Sequence, residues 1–599
     1  MDATWSPYPV KPALKRGQVE SQSFHLAMRD GVRIAVAVHL PKQRPPAGKL
    51  PTVIRATRYY RQFEFRWPFS YFLNGADVMA RHWLANGYGR VQVDVRGTGA
   101  SFGTQYGPWS PDEVQDYAEV VEWIIQQAWS NGAVGFEGVS YHGTSAEMAL
   151  INRHPAVKAV IPSFTLFDLY ADIAYPGGVH LSWFTENWGA ATRAMDQNRF
   201  ELVGPPRGSP MARIKPLVRG IAPVDADRDR AQLAQAIQAH AHNWDPHQTV
   251  LALGYRDQPW PTEPHLTADD FSPHHYREAV NQSGAALYSY GGWLDGGYPR
   301  AAIHRYLSLD NPANRLIIGP WSHGGLFHSG PRVGKPTRFN HIAEMMRFFD
   351  HHLKGLDNGL DDEEPIHYFT MVEEKWRAAR AWPPQAEMVP FYLQAGNRLG
   401  AEKPSADDAA DTYAVDYSAS TGDRTRWNSV LGGGAVVYPD RAREDRKLLT
   451  YTTPPLTRDM RITGHPLVTL YVTSSAADGD FFVYLEDVEP SGRVSYVTEG
   501  MLRALHRKVS DAAPPYACVG PYHSCRREDA AALEPGQVAT LHFDLLPTSY
   551  LFQSGHAIRV TLAGADKDNF AVPSYAPPTV KVHRSEIYPS HIILPRVDR

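Results

Sequence analysis

Val134-Gly135-Phe136-Glu137-Gly138-Val139-Ser140-Tyr141-His142-Gly143 is the stretch on which the fold turns. Its first six residues read as a short buried strand. A helix follows over about 141–153, and a second apolar strand over 157–162. A nucleophilic serine needs such a junction. The sharp turn lifts Oγ clear of the sheet, and backbone N–H groups at the helix start face a developing oxyanion. Gly138 suits the crowded elbow, where a Cβ has no room. The stretch departs from a strict G-x-S-x-G, because His142 stands at the second glycine and Gly143 follows one place later. A bare G-x-S carries little information; a strand before it and a helix after it make it a candidate elbow.

Working outward, the same strand–helix alternation continues. Asp30-Gly31 separates two alternating arms, Phe24/Leu26/Met28 and Val32/Ile34/Val36/Val38, which reads as a hairpin. Residues 52–56 form a strand, 71–86 a helix stopped by Gly87, and 90–95 the next strand. Ser110 caps the following helix, with Pro111 at its first position and Glu113 completing a capping box. Val114, Tyr117, Ala118, Val121, Ile124, Ile125 and Ala128 give that helix one apolar stripe, and Asn131-Gly132 ends it. Repeated strand–helix–strand units imply a parallel sheet covered on both faces.

The alternation breaks between about 163 and 276, where Phe164, Phe167, Tyr170, Tyr175, Trp183, Phe184 and Trp188 crowd one stretch and 227–243 reads as a helix. This is a helical insertion, or cap. Strands resume at 286–290 and 316–318, with a helix near 343–353. Beyond Trp382-Pro383-Pro384, short alternating strands such as Val468/Leu470/Val472 and Ile558/Val560/Leu562 indicate a jelly roll. The expected division is 1–163 and 277–384 for an α/β domain, 164–276 for the cap and 385–599 for the β domain.

A serine elbow calls for an acid and then a histidine on loops at the carboxyl ends of later strands. The strand at 286–290 runs into Gly291-Gly292-Trp293-Leu294-Asp295-Gly296-Gly297. The strand at 316–318 runs into Gly319-Pro320-Trp321-Ser322-His323. The chain order Ser140, Asp295, His323 is the hydrolase order. Asp310 is a rival acid, but Leu309-Asp310-Asn311-Pro312 reads as a turn. His142 adjoins Ser140, yet it enters the helix where its side chain turns away from Oγ, so it reads as packing. No metal motif appears, and the adjacent pairs His274-His275 and His351-His352 do not converge on one ion. Asp94-Val95-Arg96-Gly97-Thr98-Gly99 lacks the third spaced glycine of a dinucleotide loop and reads as structural.

Composition narrows the function classes. The 599 residues are 43% hydrophobic and 21% charged, with a net charge of −4. These are globular averages without the basic excess that nucleic-acid binding requires. No 18-residue apolar run exists, which excludes a membrane helix. Residues 1–18 carry charges and prolines but no apolar core, so no signal peptide is expected and the reading is cytoplasmic. Cys518 and Cys525 are too few for a disulfide framework; they read as two thiols or one local bridge.

The chain resembles the CocE/NonD hydrolases, which include cocaine esterase-like enzymes, α-amino-acid ester hydrolases, glutaryl-cephalosporin acylases and Xaa-Pro dipeptidyl-peptidases. The resemblance rests on D-x-R-G-x-G-x-S-x-G from Asp94 to Gly103, and on Gly132-Ala133-Val134-Gly135 followed by G-V-S-Y-x-G. It continues through G-W-x-D-G at Gly292 to Gly296, G-P-W-S-H at Gly319 to His323 and F-F-D-x-x-L-K-G at Phe348 to Gly355. It implies an α/β-hydrolase fold with a helical cap and a C-terminal β jelly roll, a triad of Ser140, Asp295 and His323, and no cofactor. It also implies an oxyanion hole made by the Tyr141 N–H and a tyrosine hydroxyl in Arg58-Tyr59-Tyr60-Arg61. Loop length favours Tyr59, with Tyr60 the alternative.

Family members that hold a substrate α-amino group place a carboxylate just after that tyrosine. Here Arg58, Tyr60 and Arg61 stand there, which disfavours aminoacyl substrates; the arginines suit a carboxylate-bearing acyl group or plain surface charge. The expected reaction is acyl transfer from a small-molecule ester. An amidase or acylase on the same groups, and a ligand-binding protein with a dead centre, are the alternatives. Tyr60, Phe167, Trp183, Trp188, Trp293 and Trp321 are the candidate pocket residues, although the cap aromatics serve equally as the cap's own core. An exposed jelly-roll edge is the candidate contact for a homodimer.

Overall fold

The computed structural model describes residues 8–43, 48–204, 211–330 and 333–597. The first seven residues of the stretch read above for a signal peptide lie outside that set. Ten strands form one sheet: β1 (Val19–Ala27), β2 (Arg33–Pro41), β3 (Leu50–Thr57), β4 (Gly89–Asp94), β5 (Ser130–Val139), β6 (Val157–Ser163), β7 (Ala286–Gly292), β8 (Arg315–Gly319), β9 (Ile366–Thr370) and β10 (Lys375–Ala379). Their spatial order is β1-β2-β4-β3-β5-β6-β7-β8-β9-β10. The block from β4 to β9 is parallel, whereas β1, β2 and β10 pair antiparallel at the two ends. The Asp30-Gly31 hairpin sits where the alternation puts it, with Leu26 opposite Ile34 and Gly31 at φ +82°. The central strands are buried on both faces, as their unbroken apolar runs require.

Local rules explain several boundaries and three departures. Helix α2 (Pro111–Ile125) starts on Ser110, whose hydroxyl accepts the Glu113 N–H. The capping box is not formed, because the Glu113 carboxylate turns inward to the Tyr117 and Tyr141 hydroxyls. That helix ends at Ile125; Asn131-Gly132 belongs to the start of β5 instead. The helix expected over 71–86 is two pieces, Phe69–Leu73 and α1 (Val78–Ala85), since Gly75 has φ +92° and Asp77 caps a fresh start through Ala80 N. Helix α3 (Tyr141–Met148) follows β5 directly.

Between β6 and β7 the chain carries a π turn at Tyr170–Ala174, helix α4 (Ser182–Asp196) and shorter helices at Ala231–Ala239 and Pro246–Ala252. These form the cap. Helices α5 (Tyr298–Ser308) and α6 (His341–Lys354) complete the cover of the sheet. The C-terminal third is a jelly roll, in which Asp480–Val488 pairs with Val494–Arg503 and with Ala557–Ala563, and Leu467–Ser474 pairs with Ala539–Asp544.

Candidate active site

Ser140 lies at the junction of β5 and α3 with φ +64° and ψ −128°. A non-glycine residue held there is strained, and such strain persists where surrounding packing over-determines the backbone. Here it points the serine out of the sheet. Gly138 pays for the turn in space: a Cβ on it would lie 2.2 Å from the His142 Cβ. Tyr141 is the first residue of α3, directly after Ser140, so its N–H has no acceptor within the helix.

The acid and histidine loops meet as the strand order dictates, since β7 and β8 are neighbours. His323 Nδ1 lies 2.9 Å from Asp295 Oδ1 and 3.1 Å from Oδ2. Asp295 is completely buried; burial pushes its carboxyl upward, and the adjacent His323 opposes that shift. Asp310 sits in an exposed turn against Asn281, away from this pair. His142 is half-buried, and desolvation followed by the nearby Arg55 charge pushes it down to about 3. Its Nε2 shares a 2.5 Å hydrogen bond with Thr57 Oγ1, which in turn accepts the Tyr59 N–H at 2.8 Å. The histidine next to the serine therefore braces the tyrosine turn.

That turn separates the two tyrosines cleanly. The Tyr59 hydroxyl accepts the Trp188 Nε1–H at 2.8 Å, and Tyr59 lines both cavities that Ser140 lines. Burial raises the Tyr59 pKa, so it stays a phenol. Tyr60, at φ +69°, swings the other way and donates to the Met195 carbonyl at 2.8 Å. The turn is pinned from behind by Asp94, whose carboxylate accepts the Arg61 N–H at 2.5 Å and pairs with the Arg61 guanidinium at 2.8 Å. A Cβ on Gly99 would fall 2.4 Å from that carboxyl, which accounts for the glycine in the Asp94–Gly99 loop.

Two cavities meet at Ser140. The first, of about 580 Å³ counting the part open to solvent, is lined by Tyr59, Trp109, Leu166, Phe184, Trp188, Trp244, Trp260 and Tyr298 among others, and no lining residue is charged. The second is a cleft of about 2120 Å³, counting the part open to solvent, and it contains His323, His142, Thr57, Tyr60, Arg55, Asp77 and Arg81.

Against this geometry, the family model for X-Pro dipeptidyl-peptidase (S15 family) matches residues 30–325, and that for its C-terminal non-catalytic domain matches 358–593. A Mycobacterium bovis protein named "Putative serine esterase" is 47% identical over 99% of this chain and 98% of its own. Cocaine esterase of a Rhodococcus species is 28% identical over 96% of this chain and 97% of its own. The chain belongs to the CocE/NonD family of serine hydrolases. A CocE/NonD hydrolase structure from Staphylococcus aureus, 20% identical, superposes with a TM-score of 0.71 over 97% of this chain and 93% of that one. An α-amino acid ester hydrolase structure, 22% identical, gives 0.71 over 100% and 99%.

Within this CocE/NonD chain the six pocket residues read from the sequence separate. Trp188 lines both cavities and Tyr60 lines the larger. The other four line neither. Phe167 packs on Tyr516 and His274. Trp183 bonds through its backbone N–H to Asn569. The Trp293 indole donates to the Phe369 carbonyl at 2.6 Å, and Trp321 stacks on Tyr290. Both tryptophans adjoin catalytic-loop glycines, but their rings fold back under the loops and fill the core. Phe164, Phe167, Tyr170 and Tyr175 are core, so the cap aromatics divide between packing and pocket. Trp109, Trp244, Trp260 and Tyr298, which the sequence reading missed, come from four distant segments.

The arginines beside Tyr59 are not a surface rim. Arg58 is buried against Asp196 at 3.1 Å and Arg61 against Asp94, so neither is open to a substrate carboxylate. The two cysteines are free thiols, which burial pushes up to about 12. Among the described residues one group, Asp168, Asp269 and His274, has metal-like spacing. The Arg256 guanidinium already lies among them, paired with Asp168 at 2.7 Å and with Asp269 at 2.8 Å. No helix among the described residues is long and apolar enough to cross a membrane.

Proposed function

We propose that the protein is a carboxylesterase for esters with an uncharged, apolar or aromatic acyl group. Ser140 is the nucleophile, His323 its base, and Asp295 the group that holds the imidazole tautomer and offsets the imidazolium. The Tyr141 N–H and Tyr59 O–H receive the oxyanion. His323 then protonates the leaving alkoxide, and water activated by the same imidazole releases the acid.

The observation that carries the reading is the lining of the cavity beside Ser140 and Tyr59, which holds no charged side chain. It lacks His323, so it is the acyl side; the cleft that contains His323 is where a leaving group can be protonated. An ammonium ion desolvated in that apolar cavity would cost several kcal/mol without a carboxylate. This argues against a substrate with a free amino terminus, whatever the names of the more distant relatives.

Two measurements test the reading. A fluorophosphonate probe should label native protein and leave Ser140→Ala unlabelled, and that variant should lose hydrolysis of p-nitrophenyl benzoate. Esters with neutral aromatic acyl groups should then be cleaved with a higher kcat/KM than aminoacyl esters of the same alcohol. Equal labelling of the variant would overturn the nucleophile, and a preference for aminoacyl esters would overturn the substrate class.

A further inference from the structure

The leaving-group cleft is charged in a way that the acyl cavity is not. Its lining includes Arg16, Arg55 and Arg81, together with Asp77. Arg55 shares Glu137 with the buried Arg90, at 2.9 Å and 2.5 Å, and reaches Asp77 at 3.7 Å. Asp77 is further engaged by the Gln92 amide at 3.1 Å and by the Ala80 N–H at 2.7 Å. Arg16 and Arg81 line the same cleft within electrostatic reach of each other, with Asp77 the nearby acid. Their partners are backbone carbonyls: Arg16 donates to Asn74, and Arg81 to Leu14 at 2.8 Å. Four guanidinium groups thus stand against two carboxylates.

The cluster is also continuous with the reacting centre. His142 lies within electrostatic reach of both His323 and Arg55, and Thr57, which it touches, is two residues along β3 from Arg55 on the same face. Uncompensated cations in a walled cleft concentrate anions, because low-dielectric walls focus the field.

We infer that Arg16 and Arg81 form an anion subsite at the far end of the leaving-group cleft, so that the preferred esters carry a carboxylate or phosphate on the alcohol portion. This rests on the serine esterase reading above and deepens it. A guanidinium pair takes either anion by paired N–H···O bonds, and a phosphate monoester, with more charge, gains more from it. The released hydroxy acid or hydroxyalkyl phosphate keeps its hold on the subsite, so product inhibition accompanies the preference.

The test uses benzoyl esters of ω-hydroxy acids of increasing chain length, each paired with its methyl ester, and benzoyl esters of the matching ω-hydroxyalkyl phosphates. At one optimal length the wild type should cleave the anionic member at least tenfold faster in kcat/KM than its neutral partner, mostly through KM, and 0.5 M NaCl should shrink that margin. Arg81→Gln and Arg16→Gln should erase it while leaving the methyl ester's kcat/KM within twofold. The free hydroxy acid should inhibit the wild type competitively, and its amide should not. If the neutral esters are cleaved but no chain length shows an anionic advantage, the subsite is refuted and the esterase stands. If inhibition by the acid and by the amide is equal, the subsite is refuted without reference to any variant. If the neutral esters are not cleaved either, the underlying esterase reading falls.

Discussion

Tyr59 shows how much of the proposed chemistry depends on single groups. Its hydroxyl takes a hydrogen bond from Trp188, so its own proton is available for the oxyanion of the proposed mechanism. Tyr59→Phe should lower kcat on p-nitrophenyl benzoate by about 10²-fold or more, as loss of one oxyanion donor does elsewhere. Tyr60→Phe should leave kcat nearly unchanged, because that hydroxyl is spent on Met195. Glu113 offers a second test. It is fully buried beneath Tyr141, and burial pushes its carboxyl up to about 7 despite hydrogen bonds from Tyr117 and Tyr141. Between its ordinary pKa and 7 the folded state binds the extra proton, so this group's contribution falls as pH rises through that window and is constant above it. Glu113→Gln keeps the side chain neutral. Its Tm relative to wild type should therefore climb from pH 5 to pH 8, by an amount corresponding to as much as about 3 kcal/mol.

At the scale of elements, cap helix α4 is coupled to the core at two points. Trp188 reaches Tyr59 from its middle, and Asp196 at its end pairs with Arg58, whose guanidinium lies 5.3 Å from the Trp188 ring centre. The cap therefore supports the tyrosine turn as well as covering the pocket. Trp188→Phe keeps an aromatic wall but removes the N–H, and kcat should drop about fivefold, the equivalent of one net hydrogen bond near 1 kcal/mol. Asp196→Ala leaves Arg58 buried without its acid. It should cost about 3–5 kcal/mol in urea unfolding and lower kcat together with stability.

Across the whole molecule, the jelly roll reaches into the triad. Arg426, completely buried, donates to the Gly296 carbonyl at 2.9 Å and the Trp293 carbonyl at 2.8 Å, and its own carbonyl accepts the Gly296 N–H at 3.0 Å. Ser429 adds a hydrogen bond to Leu294 at 3.3 Å. The loop that bears Asp295 is thus held at Trp293, Leu294 and Gly296 by the C-terminal domain. Arg426→Lys cannot make both carbonyl bonds with one planar fork. It should lower kcat at least tenfold with KM little changed, and steady-state kinetics on p-nitrophenyl benzoate would show the split.

The sequence by itself determined the α/β sheet, the elbow at Ser140, the helical insertion and the change to β structure after Trp382. These follow from local periodicity and turn chemistry, and the motif glycines mark backbone approaches too close for any Cβ. Ser140, Asp295 and His323 were legible as candidates for the same reason: each follows an apolar strand of a sheet whose order follows from its connections, and the structure joins His323 to Asp295. What only the tertiary structure decided was direction. Tyr59 and Tyr60 are neighbours in the chain, and a positive φ at the second sends their hydroxyls to opposite destinations. Trp293 and Trp321 adjoin the catalytic loops yet pack beneath them, while Trp109, Trp244 and Trp260 arrive from elsewhere to line the cavity. Charge followed the same rule: Arg58 and Arg61, which suited a substrate in the chain, are neutralised by Asp196 and Asp94, and the cations left over in the cleft are Arg16 and Arg81. Side-chain partnership is set by packing between segments far apart in sequence, where no local pattern carries the information.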